Sequence, residues 1–247
     1  MMNNVFSKIS IISFFIVITV SSVFAGPPFN TDDPEPVDFL HWEFYIASSY
    51  QLGRYNDDAT LPHFEVNYGA VPNVQLHFLV GMGYVKEDAN HQYGLMTAEL
   101  GVKYRFINDE KNNFQIGIFP LAELPTTSKE SLVGNQNLQT FLPIWIQKSW
   151  GEFTTYGGAG YWINIGKNNQ NSVFAGWQAQ YDFTETLSLG GELYYESPDT
   201  KGGSYDAAFK IGGFINVNED NHILFSVGHS FKNTDVVSGY LGYQLTI

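Results

Sequence analysis

The side chains that could do chemistry in this 247-residue chain are six histidines, twelve lysines and arginines, and twenty-five aspartates and glutamates. Cysteine is absent, which removes thiol nucleophiles, thiolate metal sites, disulfides and lipidation of an N-terminal cysteine. The nearest approach to a nucleophile with its base is His229-Ser230. On a strand, neighbours point to opposite faces, so without a bulge the two cannot hydrogen-bond as a catalytic pair. His41, His63, His77, His91 and His222 are scattered singly and lack the short spacing of a helical zinc motif. His63 and His77 could meet across strands, where a polar pair is the expected state. Asp32, Asp33, Glu35 and Asp38 form an acidic run without the glycine-centred pattern of a calcium loop. No glycine-rich phosphate loop appears. The expectation is no catalytic residue, no metal and no cofactor.

The remaining charged residues make sense only when the elements that carry them are considered. From His41 onward, apolar and polar residues alternate with a period of two, in stretches bounded by Gly, Asn, Asp or Pro. Twelve antiparallel strands are predicted, over 41–51, 60–69, 73–84, 92–107, 113–124, 136–148, 152–165, 172–182, 186–196, 204–217, 221–231 and 236–247. Most are ten residues or longer. Ordinary strands average about five or six, whereas a tilted strand crossing a bilayer needs about 9–11. The links between them alternate short and long, as they do between the periplasmic and outer ends of a membrane barrel. The fold class expected is an all-β, single-chain transmembrane barrel with both termini in the periplasm.

Within 92–107, Met96, Ala98, Leu100, Val102, Tyr104 and Phe106 fall on one face and Glu99, Gly101, Lys103 and Arg105 on the other. Such charges need water or an opposite charge across a lumen. The same sorting along the chain gives an inward set of Glu43, Glu65, Glu99, Lys103, Arg105, Glu192 and Lys210, with Tyr156, Trp145 and Trp162 offering aromatic surface. His63, His77, Gln178, Gln180 and Gln244 join them. Two readings stay open for this set: ion pairs that fill and stiffen the barrel, or a constriction that touches a solute. Trp42, Tyr50, Tyr68, Tyr84, Tyr104, Phe106, Phe153, Tyr181 and Tyr195 lie near strand ends, as girdles at the membrane surfaces do. Aromatic residues make up 16% of the chain and charged ones only 15%, a balance that fits a barrel with a lipid-facing outside.

Lys8, the apolar run Ile9 to Val20 and Val23-Phe24-Ala25 predict a signal peptide over residues 1–25, cleaved after Ala25. Residues 26–40 read as an acidic, proline-rich periplasmic leader, and 41–247 as the barrel. A net charge of −13 argues against a nucleic-acid partner. Leu241, Tyr243, Leu245 and Ile247 resemble the C-terminal pattern read by barrel-assembly machinery, although that pattern usually ends in an aromatic residue.

The stretch GPPFNTDDPEPVDFLHWEFY, Gly26 to Tyr45, resembles the start of an outer-membrane family labelled as a component of the meta-cleavage pathway of phenol degradation, often called a transporter. The resemblance implies a barrel that passes small aromatic or hydrophobic compounds. It carries no residue roles to this chain. The expectation is an outer-membrane channel for small solutes, with outer-membrane lipid, assembly machinery and a solute as its partners. A structural or surface-interaction barrel with a plugged lumen is the alternative, and a lipid-modifying barrel enzyme is a more distant one. Excess acid over base predicts cation preference, provided the excess lies near the constriction.

Overall fold

A computed structural model describes residues 27–53, 56–87, 89–126, 131–231 and 236–247, so the expected signal peptide lies outside the described residues. The strands are β1 (Trp42–Leu52), β2 (Asn56–Val71), β3 (Val74–Glu87), β4 (Asn90–Leu95), β5 (Ala98–Asp109), β6 (Phe114–Ile118), β7 (Leu121–Leu124), β8 (Gln139–Trp150), β9 (Phe153–Asn164), β10 (Ser172–Thr184), β11 (Leu187–Glu196), β12 (Asp206–Asn216), β13 (Asn221–Ser230) and β14 (Val237–Thr246). Strands β4 and β5 both pair with β3, and β6 and β7 both pair with β5 and β8. Each couple is therefore one interrupted wall strand, and the wall has twelve. Every pairing between strands is antiparallel, and β1 pairs with β14 from Glu43↔Thr246 to Leu52↔Val237. The sheet is closed.

The usual relation between polarity and burial is inverted. Ile46, Phe64, Phe78, Leu100, Leu142, Ile211, Val227 and Leu241 are exposed, while His63, Glu65, His77, Lys103, Gln147, Gln178, Glu192 and Gln244 are buried. A water-soluble protein puts such charges outside and such hydrocarbons inside. Here the alternation in each strand sends hydrocarbon to the outer face and polar groups into the lumen, the sorting that a barrel set in lipid requires. Rings cluster on the outer face near both ends. Trp42, Tyr104, Phe106, Phe153 and Tyr181 belong to the end with the termini and short turns, and Tyr50, Tyr93, Tyr161, Tyr195 and Tyr205 to the end with the long loops. Tyr68 stacks on Trp42 at 4.3 Å.

Two of the predicted strands are interrupted. Pairing with β3 runs Met82↔Leu95 and then Leu79↔Glu99, which leaves one extra residue on the β4–β5 side. This bulge at Met96-Thr97 corrects the expected outward position of Met96, whose side chain turns inward and lines a cavity. Pro120 interrupts the predicted 113–124 segment between β6 and β7, because proline has no N–H for the ladder. Register does not slip there, since Tyr104↔Ile118 and Gly101↔Leu121 have the same offset. The predicted 60–69 strand is longer in the structure, from Asn56 to Val71, and bulges around Leu61-Pro62.

The inverted faces give a direct test. Ile211, 58% exposed and midway along β12, is expected to face the middle of the bilayer. Ile211→Arg is expected to cost about 2–4 kcal/mol, measured by denaturant titration of the protein folded into vesicles.

Candidate functional site: the filled lumen

Residues 27–38 lie inside the barrel, and the wall side chains are arranged around them. Four prolines in this segment, Pro27, Pro28, Pro34 and Pro36, reduce the number of backbone N–H groups that a buried chain must satisfy. Those of Asn30, Thr31, Asp33, Glu35 and Val37 find side-chain acceptors. The Glu192 carboxylate accepts from the N–H groups of Asn30, at 3.1 Å, and Thr31, and Gln75 Oε1 accepts from Val37 N at 2.9 Å. Ser226 Oγ donates to the Pro28 carbonyl at 2.7 Å.

Charge pins the segment more firmly. Lys103 Nζ lies 3.0 Å from Asp32 Oδ1 and 3.3 Å from Asp33 Oδ1, and donates to the Glu35 carbonyl at 3.4 Å. Asp33 has no exposed surface and Lys103 only 3%. Arg105 Nη1 is 3.6 Å from Glu35 Oε1, and Gln147 Nε2 donates to Glu35 Oε2 at 3.1 Å. Lys210 donates to Asn30 Oδ1. At the base, the fit is tight enough that a Cβ on Gly69 would stand 1.9 Å from the Asp38 carbonyl oxygen.

The predicted inward residues fall into three groups. Lys103, Arg105, Glu192 and Lys210 hold the leader, Glu192 and Lys210 being directly opposed across β11 and β12. Glu65 and Glu99 are joined through His77, whose Nδ1 is 3.4 Å from Glu65 and whose Nε2 is 2.7 Å from Glu99, with Asn67 also on Nδ1 at 2.8 Å. Glu43 accepts from Tyr45 Oη at 2.8 Å. The three aromatic residues do not line an open passage. Tyr156 is fully buried, Trp145 packs against Phe141 and Phe174, and Trp162 stacks on Phe141 at 4.6 Å. His63 bonds Thr60 rather than His77, and His229 and Ser230 occupy opposite faces of β13.

Two chambers are lined by the described residues. One of about 890 Å³ opens at the short-turn end, where nine carboxylates face Lys103 and Arg105. The other, about 290 Å³, lies toward the long-loop end beneath Val133, Gly134 and Asn135. These three belong to the connection between β7 and β8 and turn inward. Val133 is 1% exposed, and Asn135 N donates to Thr97 Oγ1 at 2.6 Å.

No protein-family model matches the sequence, and no curated protein matches it. Solved structures do resemble it in shape. The COG4313 outer membrane channel from Pseudomonas putida F1 superposes with a TM-score of 0.67 at 15% identity, over 87% of this chain and 98% of that one. The NanC porin gives 0.60 at 8% identity, over 82% and 98%. The translocator domain of the autotransporter NalP from Neisseria meningitidis gives 0.53 at 12%, over 85% and 89%. The fold is that of bacterial outer-membrane barrels.

The leader carboxylates supply two tests. Burial pushes the Asp33 carboxyl up from 3.8 to about 8, more than the adjacent Lys103 ammonium lowers it, and burial also raises Glu35. The docked leader therefore holds a proton that the free leader has released, so docking is strongest at low pH and weakens as pH rises through about 8. Hydrogen exchange of the leader N–H groups, corrected for the intrinsic rate, is expected to be faster at about pH 8.5 than at about pH 5.5, with Asp33→Asn flattening the dependence. Lys103→Met strands Asp32 without its cation. This is expected to weaken docking by about 3–5 kcal/mol, read as faster exchange of the same leader N–H groups.

Proposed function

We propose that this protein is an outer-membrane channel for small solutes in which the leader, residues 27–38, occludes the lumen and moves to open it. The observation that carries this reading is the manner in which the lumen is filled. The occluding segment belongs to no strand and is held by side chains rather than by the ladder, through Lys103 to Asp32 and Asp33 and through Glu192 to Asn30 and Thr31. Such contacts can be broken without opening the wall. A barrel with an apolar belt and two ring girdles also suits lipid as its surroundings, with the short-turn end in the periplasm.

Rings gathered in the lumen, Phe119, Phe141, Trp145, Phe174 and Tyr194, favour solutes with aromatic or apolar bodies. That is in keeping with the resemblance of Gly26 to Tyr45 to the phenol-degradation family. Carboxylate excess at the short-turn chamber favours cations over anions.

The place of the leader inside the lumen favours one other reading, a structural barrel that passes nothing. Reversal potentials and liposome swelling decide between the two. The channel reading expects a permeability for potassium several-fold above chloride, and swelling with small solutes that is faster for Lys103→Met than for the unaltered protein. Absence of both conductance and swelling in both proteins would establish the structural barrel instead.

A further inference from the structure

Lys103 and Arg105 stand two residues apart on β5, and both line the 890 Å³ chamber. Among the described residues, the carboxylates within ion-pair distance of Lys103 are Asp32 and Asp33, and the one within that distance of Arg105 is Glu35. All three belong to the leader. The wall acids of the same chamber are engaged elsewhere or lie at its rim. Glu43 accepts from Tyr45 Oη, Glu65 is held by His77 and by Asn67 at 2.8 Å, Asp182 accepts from Ser188 Oγ, and Glu110, Glu152 and Glu219 belong to the short turns.

The wall therefore carries two cations and leaves their anions to the leader. Arg105 is fixed by bonds that do not involve the leader, since Nε and Nη2 donate to Asn73 Oδ1 at 3.0 and 2.9 Å and Nη1 to Gln115 Oε1 at 3.1 Å. When the leader moves, two positive charges remain on one face of one strand, with their backbones about 6.5–7 Å apart. Confined like charges repel, and an anion that reaches both relieves the repulsion. The leader shows what shape fits. Between the carboxylates of Asp32 and Glu35 it carries an apolar residue, Pro34, whose Cβ lies 3.0 Å from where a Cβ on Gly117 would stand, and Gly117 is the cross-strand partner of Arg105. Phe119 lines the same chamber, with its ring centre 5.0 Å from Lys103 Nζ.

Acid, hydrocarbon, acid is the pattern of a dicarboxylate. We infer that Lys103 and Arg105 form a binding site for a small linear dicarboxylate, and that the leader occupies this site as an internal stand-in for it. One carboxylate replaces Asp32 on Lys103, and the other replaces Glu35 on Arg105 and on Gln147 Nε2, which donates to Glu35 at 3.1 Å. The hydrocarbon takes the place of Pro34 over Gly117. This site rests on the channel reading and names its solute: leader and dicarboxylate exclude each other, so the solute itself releases the leader. The cation preference proposed above belongs to the docked state, because undocking takes Asp32, Glu35 and Asp38 out of the chamber and bares both bases.

The test compares adipate with hexanoate, which has the same six-carbon chain and one carboxylate fewer, by calorimetric titration of the full chain in detergent at about pH 7 and fixed ionic strength. Adipate is expected to bind at least about tenfold more tightly, a difference of about 1.4 kcal/mol, and to speed hydrogen exchange at Asn30, Thr31 and Val37, which hexanoate at the same concentration leaves unchanged. Competition gives opposite signs on the two sides of each ion pair. Asp32→Asn and Glu35→Gln weaken the leader and are each expected to tighten adipate several-fold, whereas Lys103→Met and Arg105→Gln are each expected to remove its advantage over hexanoate. Heat-modifiable migration on gels checks that each variant is folded, and two substitutions on each side keep the test intact if one disturbs the barrel. Equal binding of the two ligands, or adipate weakened by the leader substitutions as it is by those in the wall, would overturn the inference. A barrel that conducts potassium but shows no preference for adipate removes this site and leaves the channel. One that binds adipate with the expected signs but passes neither ions nor solutes removes the channel and leaves a leader that a dicarboxylate displaces.

Discussion

A backbone set in hydrocarbon has no water to bond, so every N–H and C=O of the wall must find its partner inside the sheet. Closure between β1 and β14 meets this demand, and the rest of the architecture follows from it. Once the sheet is closed its circumference is fixed by the strand number. About eight strands leave an interior that side chains alone can fill, whereas a wider barrel leaves a lumen over. Twelve wall strands enclose more volume than Tyr156, Gln178, Gln244 and their neighbours occupy. The leader enters that surplus near the short turns, and the ring layer with Val133 takes it up near the long loops.

Filling a lumen with a charged segment sets its own condition, because an unpaired charge in a dry interior is not tolerated. Lys103, Arg105 and Lys210 are therefore not independent surface bases. Their partners arrive from the leader, as Asp32, Asp33, Glu35 and Asn30. Leader and wall are complementary in charge, and the complementarity is directional. Glu192 receives backbone N–H groups from one side of the segment while Lys103 meets carboxylates from the other, so the segment fits in one register.

The wall was legible because alternation with a period of two survives in each strand, as in Ile223, Phe225 and Val227 against Ser226, Gly228 and Ser230. The slip at Met96-Thr97 was not legible, because Gly94, Met96 and Ala98 read equally well on either face. What fixes it is distant in sequence: Val133 occupies the space above Gly83 and Asn135 bonds Thr97. The charged inward residues were legible as a set. Their destination was not, since the acidic run at Asp32 to Glu35 reads locally as a solvated tail. A signal did exist in the sequence, in that three inward bases needed anions and the acidic leader stood immediately before the first strand. The cross-strand pairings Glu99↔Glu123 and Glu196↔Asp206 were hidden for another reason, because strand boundaries good to a few residues do not fix which residue faces which.

A closed ladder also restricts where motion can occur. Parting two wall strands breaks a row of hydrogen bonds in a medium that replaces none of them, so the wall is the least mobile part of the molecule. The leader and the inward-folded connection are joined to the wall by isolated contacts, such as Leu132 N to Gln92 at 2.7 Å and Val37 N to Gln75 at 2.9 Å. Each such bond can be exchanged for one to water at a net cost of only about 0.5–1.5 kcal/mol. Motion in this barrel is therefore least costly at these two inserts while the wall stays as it is, and the charges that hold them set how firmly each is kept in place.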